Sequence, residues 1–231
     1  DASHAIGAAY SGNKVGSCSH SDITIFSFHP VKIITSAEGG MALTNNLDIA
    51  DKISRLRTHG ITNDINKMKE RSKNEIWNYQ QIDLGFNYRM NDIQAALGLN
   101  QLKRLDEYVK RRHELAKYYE HSLKDLPIII PWQESNVYSS YHLYPILIKN
   151  DSDLKSQKQV YNELRDNNIA SNLHYIPVHR HPYYENLGFK KNDFPVAEKF
   201  HQEAISIPLF ATLTEDHQKY VVETIQKIMT I

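Results

Sequence analysis

The chain has 231 residues, 41% of them hydrophobic, with 27 basic and 27 acidic side chains. That length suits one large domain or two smaller ones with a sizeable core, and a formal net charge of zero gives no general attraction for nucleic acid. The single cysteine, Cys18, cannot close an intramolecular disulfide, and no apolar stretch approaches the roughly 20 residues of a membrane helix. A cytoplasmic protein without a membrane or nucleic-acid partner is the expectation.

The opening stretch DASHAIGAAY reads as the end of a strand and its following loop. Asp22–Phe28 and Gly40–Thr44 read as short buried strands. Leu47–Arg57 places Ile49, Ile53 and Leu56 at helical spacing and stops at Gly60. Thr62–Gln81 is polar, an irregular excursion with one helical turn at most. Asn91–Leu123 is the longest periodic segment, with Asp92 near its cap and room for a break midway. PIIIP, Pro127–Pro131, marks a change of element. Beyond it the chain alternates: strand His142–Ile148, helix Asp153–Asn167, strand Ala170–Tyr175, helix Phe194–Ala204 and a last helix Thr214–Met229. The pattern is α/β, with a boundary near Leu126–Gln133 that divides residues 1–126 from 127–231.

Between the first two strands stands Lys32, in FSFHPVKIITSAEGGMALTN. A buried, unpaired ammonium is costly, so this lysine either snorkels to the surface or is neutralised by chemistry. An amine used in covalent catalysis must be partly deprotonated and held in place, and an apolar pocket serves both needs. Pro30 stiffens the turn, Ser27 offers a hydroxyl five residues earlier, and Gly39 and Gly40 let the backbone pass close to a flat ligand. Spacing alone leaves both readings open.

Four motifs in order, DASHA, SFHPVK, EGG and GFNYRMNDIQAALGLNQL, together resemble the DegT/StrS family of sugar-nucleotide aminotransferases, over essentially the whole chain. Later stretches such as NLHYIPVHRHPYY and AISIPLF are most similar to its pseudaminic-acid branch. The resemblance implies the C-terminal part of a fold type I (aspartate-aminotransferase-like) protein, a partial large domain plus a small α/β domain. It implies pyridoxal phosphate as cofactor, held by Lys32, which also moves the proton. Asp1 then pairs with the pyridinium nitrogen, His4 lies near the ring, and Ser27 reaches the phosphate. Asn87 reaches the phosphate of a neighbouring subunit's cofactor, which makes the protein a homodimer. For substrate it implies Ser27, Asn87 and Arg89, then Asn172, Leu173, His174 and Tyr175, then His179 and His181, with Tyr183 and Tyr184 as stacking faces. Arg89 could equally anchor Asp92 at a helix start.

The reaction implied is transfer of an amino group, with glutamate as donor, to C4 of a UDP-linked 4-keto-6-deoxy-N-acetyl sugar. A zinc site is not expected, because the His174, His179 and His181 spacings of five and two lack Cys or carboxylate partners. Ile33 and Ala37 depart from the family pattern without removing a functional group. The dehydrating branch of the family carries histidine at the lysine position, so Lys32 argues against it. Family members also carry a further half-domain before the first motif. Two alternatives stay open: an aminotransferase for another nucleotide-linked ketosugar, and a non-catalytic dimerisation or binding fragment.

Overall fold

The structure, a computed structural model, describes residues 1–69, 75–149 and 154–230. In chain order, strands β1 (Ala9–Tyr10), β2 (Asn13–Lys14), β3 (Thr24–Ser27) and β4 (Gly40–Leu43) precede helix α1 (Leu47–Leu56). Then come β5 (Ile61–Thr62), β6 (Gln80–Gln81), α2 (Asp92–Leu102) and α3 (Leu105–Leu123). Strands β7 (Ile128–Ile129), β8 (Val137–Tyr138) and β9 (Tyr144–Ile148) follow, with helices α4 (Gln157–Asp166), α5 (Pro182–Glu185) and α6 (Pro195–Glu203). Strand β10 (Ala204–Ile207) and helix α7 (Glu215–Met229) complete the order, an α/β arrangement as the sequence implies.

Two compact units divide these elements. The first comprises Asp1–Asp106 with Asn136–Ser139; the second comprises Glu107–Ser135 and Ser140 onward. The sequence reading divides the chain at residue 126 instead. The difference arises because α3 buries Leu115, Ala116, Tyr119 and Leu123 in the second unit's core, while β8 pairs with β1 of the first.

In the first unit, β3 pairs antiparallel with β4, Thr24 opposite Leu43 and Ser27 opposite Gly40. Strand β3 alternates as a half-buried strand should, with Phe26 inside. Strand β4, expected to be buried, is largely exposed. Helix α1 is capped by Asn46, whose side chain accepts from the Asp48 and Ile49 N–H groups. At the start of α2, Asn91 and Gln94 form a reciprocal capping box, so Asn91 and not Asp92 is the cap. The break that the periodic segment allowed falls at residues 103–104, between α2 and α3. Helix α2 has no buried residue, and its Ile93 and Leu99 are 84% and 64% exposed. The excursion after Thr62 is closed at its base where β5 pairs with β6; its residues 70–74 lie outside the described residues.

Two glycines hold the end of that excursion against α1. Gly60 sits at φ +71°, and a Cβ there would lie 1.9 Å from the Asp83 carbonyl oxygen; a Cβ on Gly85 would lie 2.2 Å from the Gly60 nitrogen. Arg55 reinforces the approach through ion pairs to Asp83 (2.7 Å) and Asp51 (2.5 Å). This close packing delivers the chain to the Thr58–Asn87 bridge. Gly60→Ala should therefore cost about 1–3 kcal/mol from the left-handed backbone alone, read as faster amide hydrogen exchange in α1 and β5 of the first unit.

The second unit carries the main core. Its sheet runs β10–β9–β7, all antiparallel, with Ile205 opposite Ile146. Strand β9 alternates strictly, placing Tyr144, Ile146 and Ile148 inside. Helix α4 adds Val160 and Leu164, and α7 adds Val221, Val222, Ile225 and Ile228. Thr214 caps α7 by accepting from the His217 N–H. Arg112 is buried in this unit and donates to the carbonyls of Tyr141, His142 and Leu209. Burial pushes its pKa down to about 10, which leaves it cationic at neutral pH.

Two expectations differ here. Ala170–Tyr175 is not a strand but a loop with one bridge, Asn172 to Ser206. The helix expected from Asp153 starts at Gln157 on a Ser156 cap, and residue 153 itself lies outside the described residues.

Candidate active site

The loop between β3 and β4 is pinned from several sides. The Phe28 N–H donates to the Gly39 carbonyl (2.8 Å), and the Ser36 N–H and Thr35 hydroxyl both donate to the Phe28 carbonyl (3.0 and 2.9 Å). Ile33 and Ile34 point inward at 6% and 2% exposure. These anchors leave Lys32 half-buried at the apex, its N–H turned onto the His29 carbonyl. Desolvation lowers its amine pKa from the usual 10.5. Among the described residues no carboxylate pairs with its ammonium to offset that loss, so burial moves the balance toward the neutral, nucleophilic form.

Close packing also explains the glycine after Glu38. A Cβ on Gly39 would meet the Met90 methyl and the Ser36 hydroxyl at 2.5 Å each. The glycine thus brings the EGG turn against the segment that carries Asn87 and Arg89. Together these segments line a hollow of about 740 Å³ whose walls include Gly39, Gly40, Arg57, Tyr88, Arg89 and Gln94. Arg57 went unremarked in the sequence. Its only signal is position: its carbonyl accepts the Tyr88 N–H, which sets the two arginine-bearing segments side by side. Arg89 is exposed and lines this hollow. Asn87 is exposed between Phe86 and Tyr88, whose rings stack at 4.8 Å.

Asp1 lies beside β3, since the Ala2 N–H donates to the Ile25 carbonyl. Its carboxylate accepts from the Ser3 N–H (2.8 Å) and hydroxyl (2.6 Å) and is exposed. His4 is half-buried. The Ser27 hydroxyl, half-buried at the end of β3, accepts the His29 N–H at 3.5 Å.

In the second unit, Asn172 and Tyr175 are exposed, Leu173 and His174 half-buried, and the His174–Tyr175 peptide bond is cis. His174 Nδ1 lies 2.8 Å from the Ser206 hydroxyl. His179 and His181 part company. His181 is exposed, whereas His179 is 7% exposed and bonds Glu198 at 2.8 Å. Glu198 also accepts the Asn192 N–H (2.6 Å) and faces Arg180 at 3.8 Å. His179 thus ties the 178–180 turn to α6, and its ring packs on Phe194. Tyr183 and Tyr184 meet edge to face, 5.3 Å apart.

The His179 hydrogen bond, first, and then the Asn192 N–H and the charges of His179 and Arg180 hold the Glu198 carboxyl below its ordinary range, against desolvation. A lowered carboxylate pKa stabilises the fold above the unfolded value, and that contribution disappears as pH falls through the folded value. Glu198→Gln should therefore flatten the acid limb of the stability curve below the ordinary carboxylate pKa. A variant curve parallel to wild type there would remove Glu198 from this role.

Comparison with known proteins gives these positions a frame. The model of the DegT/DnrJ/EryC1/StrS aminotransferase family matches residues 1–226. An uncharacterized protein of Methanocaldococcus jannaschii is 41% identical over all of this chain and 59% of its own length. The UDP-4-amino-4,6-dideoxy-N-acetyl-beta-L-altrosamine transaminase of Campylobacter jejuni is 35% identical over 99% of this chain and 57% of its own. A Streptococcus pneumoniae protein provisionally assigned as a sugar aminotransferase, and solved in PLP and PMP forms, superposes with a TM-score of 0.86 in the PLP form. That similarity covers 99% of this chain and 56% of the solved one, at 31% identity. The chain thus spans under three-fifths of the relatives it matches. No helix among the described residues is long and apolar enough to cross a membrane. On the match across residues 1–226, the chain belongs to the DegT/DnrJ/EryC1/StrS aminotransferase family.

Proposed function

We propose that this chain carries the catalytic lysine of a pyridoxal-phosphate-dependent aminotransferase acting on a nucleotide-linked ketosugar. The observation that carries the reading is Lys32: half-buried, without a counter-ion among the described residues, lowered in pKa and fixed on a pinned loop. Those properties fit an aldehyde cofactor, since only a neutral amine attacks a carbonyl carbon. When bound, pyridoxal phosphate supplies an electron sink for the carbon that gains or loses nitrogen.

Each residue then has a task. Lys32 Nζ would hold the cofactor through its aldehyde carbon, with water leaving, and would carry the proton at the amino-bearing carbon of the substrate. The Asp1 carboxylate would pair with the ring nitrogen and favour its protonated form, with His4 placed near the ring, and the Ser27 hydroxyl would donate to the phosphate. Arg89, free of a carboxylate partner among the described residues, offers a planar fork to a substrate phosphate or carboxylate. Asn87, exposed on its bridge, reaches the phosphate of a second copy in a homodimer. Asn172, Leu173, His174, Tyr175 and His181 are the proposed sugar contacts, while His179 supports their loop from within.

The finer reading takes glutamate as donor and C4 of a UDP-linked 4-keto-6-deoxy-N-acetyl sugar as acceptor, in the cytoplasm. Similarity to the Campylobacter transaminase supports it. The test is incubation of the chain with pyridoxal phosphate, borohydride reduction and peptide mapping. A reduced adduct on the Lys32 peptide is expected. A folded sample without that adduct would favour a non-catalytic binding fragment.

A further inference from the structure

The loop residues Asn172 and His174 form a hydrogen-bonded set with Ser206 of β10, and the contacts among these residues point to one arrangement of protons. The Asn172 Oδ1 accepts the Leu173 N–H at 2.8 Å. Turning that amide over would set its NH2 against an N–H, two donors face to face, so Nδ2 must be the atom directed at the imidazole. Nδ2 lies 3.2 Å from His174 Nε2. Nδ2 can only donate, hence Nε2 must accept and carries no proton. A neutral imidazole then has its proton on Nδ1, where the Ser206 hydroxyl oxygen waits at 2.8 Å.

The backbone reinforces this geometry. The Ser206 N–H donates to the Asn172 carbonyl (2.8 Å) and the Asn172 N–H to the Ser206 carbonyl (3.1 Å), so both partners are fixed in one bridge. Ser206 is 6% exposed and cannot swing away, whereas Asn172 is exposed and can yield to a ligand.

We infer that Ser206 and Asn172 hold His174 as a neutral imidazole protonated on Nδ1, so that this loop meets its ligand with an acceptor. Such a group suits a hydroxyl or an amide N–H and not a phosphate. On the proposed function, which this assignment of the ligand rests on, His174 reads a donor group of the sugar and leaves the diphosphate to other residues. Ser206 is a positioning residue, acting through His174.

The test reads the protons directly. The full chain, labelled with 15N-histidine and free of cofactor and substrate, is examined at neutral pH by long-range 1H–15N correlation. His174 is assigned by the signals lost in His174→Gln. The expected spectrum has Nδ1 in the proton-bearing range and Nε2 in the unprotonated range. Asn172→Asp, an exposed change that leaves the core alone, replaces the donor with an oxygen and should move Nε2 into the proton-bearing range. Ser206→Ala should shift the tautomer balance toward Nε2–H. A wild-type Nε2 that already carries a proton, alone or with Nδ1, overturns the assignment and makes His174 a donor fit for an anion. An Nε2 unmoved in Asn172→Asp overturns it too, and Ser206→Ala matching wild type removes Ser206 from the device. Because no turnover is measured, this result and the aminotransferase reading can fail separately.

Discussion

Lys32→Ala is expected to abolish the borohydride-trapped pyridoxal adduct while leaving the fold intact. The first half follows from chemistry, since no other lysine stands on the β3–β4 loop. The second follows from position, because Lys32 is half-buried at the apex and the anchoring is done by Ile33 and Ile34. In a chain extended to the relatives' full length, turnover should fall by at least about 10²–10⁴-fold, the usual worth of a positioned proton-transfer group. Lys32→Arg should be no better, as a guanidinium stays charged and cannot give up its proton. Small primary amines in the buffer should restore part of the Lys32→Ala rate, since they can carry the proton but lack the tether. A sign follows from the lowered pKa as well. Adduct formation by wild type should climb with pH from below the ordinary lysine value of 10.5. If Lys32→Ala traps as much cofactor as wild type, the lysine is a surface residue and the functional reading fails with it.

How much of this was legible beforehand depended on what carried the signal. Strand β9 announced itself because Tyr144, Ile146 and Ile148 alternate with their neighbours, and helix α7 because its apolar residues recur on one face. Strand β10 did not. Its four residues are all buried, and a short run without alternation has no period to read. Helix α2 shows the opposite failure: its spacing gave the helix correctly but implied burial that this chain does not provide. In the site, Lys32 stood out because a charge among apolar residues demands an explanation. The inward turn of His179 was invisible, since its partner Glu198 lies 19 residues away on α6. The same holds for Ser206, which meets His174 across 32 residues. Side chains paired over such distances leave no local pattern.

Tyr119→Ala should severely destabilise the second unit. The side chain is fully buried in its core, its ring 5.1 Å from that of Tyr144. Truncating a buried aromatic typically costs about 3–5 kcal/mol. Domains are commonly stable by only about 5–15 kcal/mol, so this unit would lie near its unfolding threshold. Tyr119 also donates its hydroxyl to the Pro208 carbonyl at 2.8 Å, just beyond β10. Tyr119→Phe keeps the ring and removes only that donor, leaving a part-buried acceptor unpaired at about 1–3 kcal/mol. The two variants therefore separate packing from hydrogen bonding. Two compact units need not unfold together, so amide hydrogen exchange in β9, β10 and α7 is the proper readout. Exchange should quicken far more in the alanine variant than in the phenylalanine one. Equal acceleration in both would mean that the hydrogen bond to Pro208, and not the ring, holds β10 to α3; the position of Ser206, and through it His174, would then depend on a single hydroxyl.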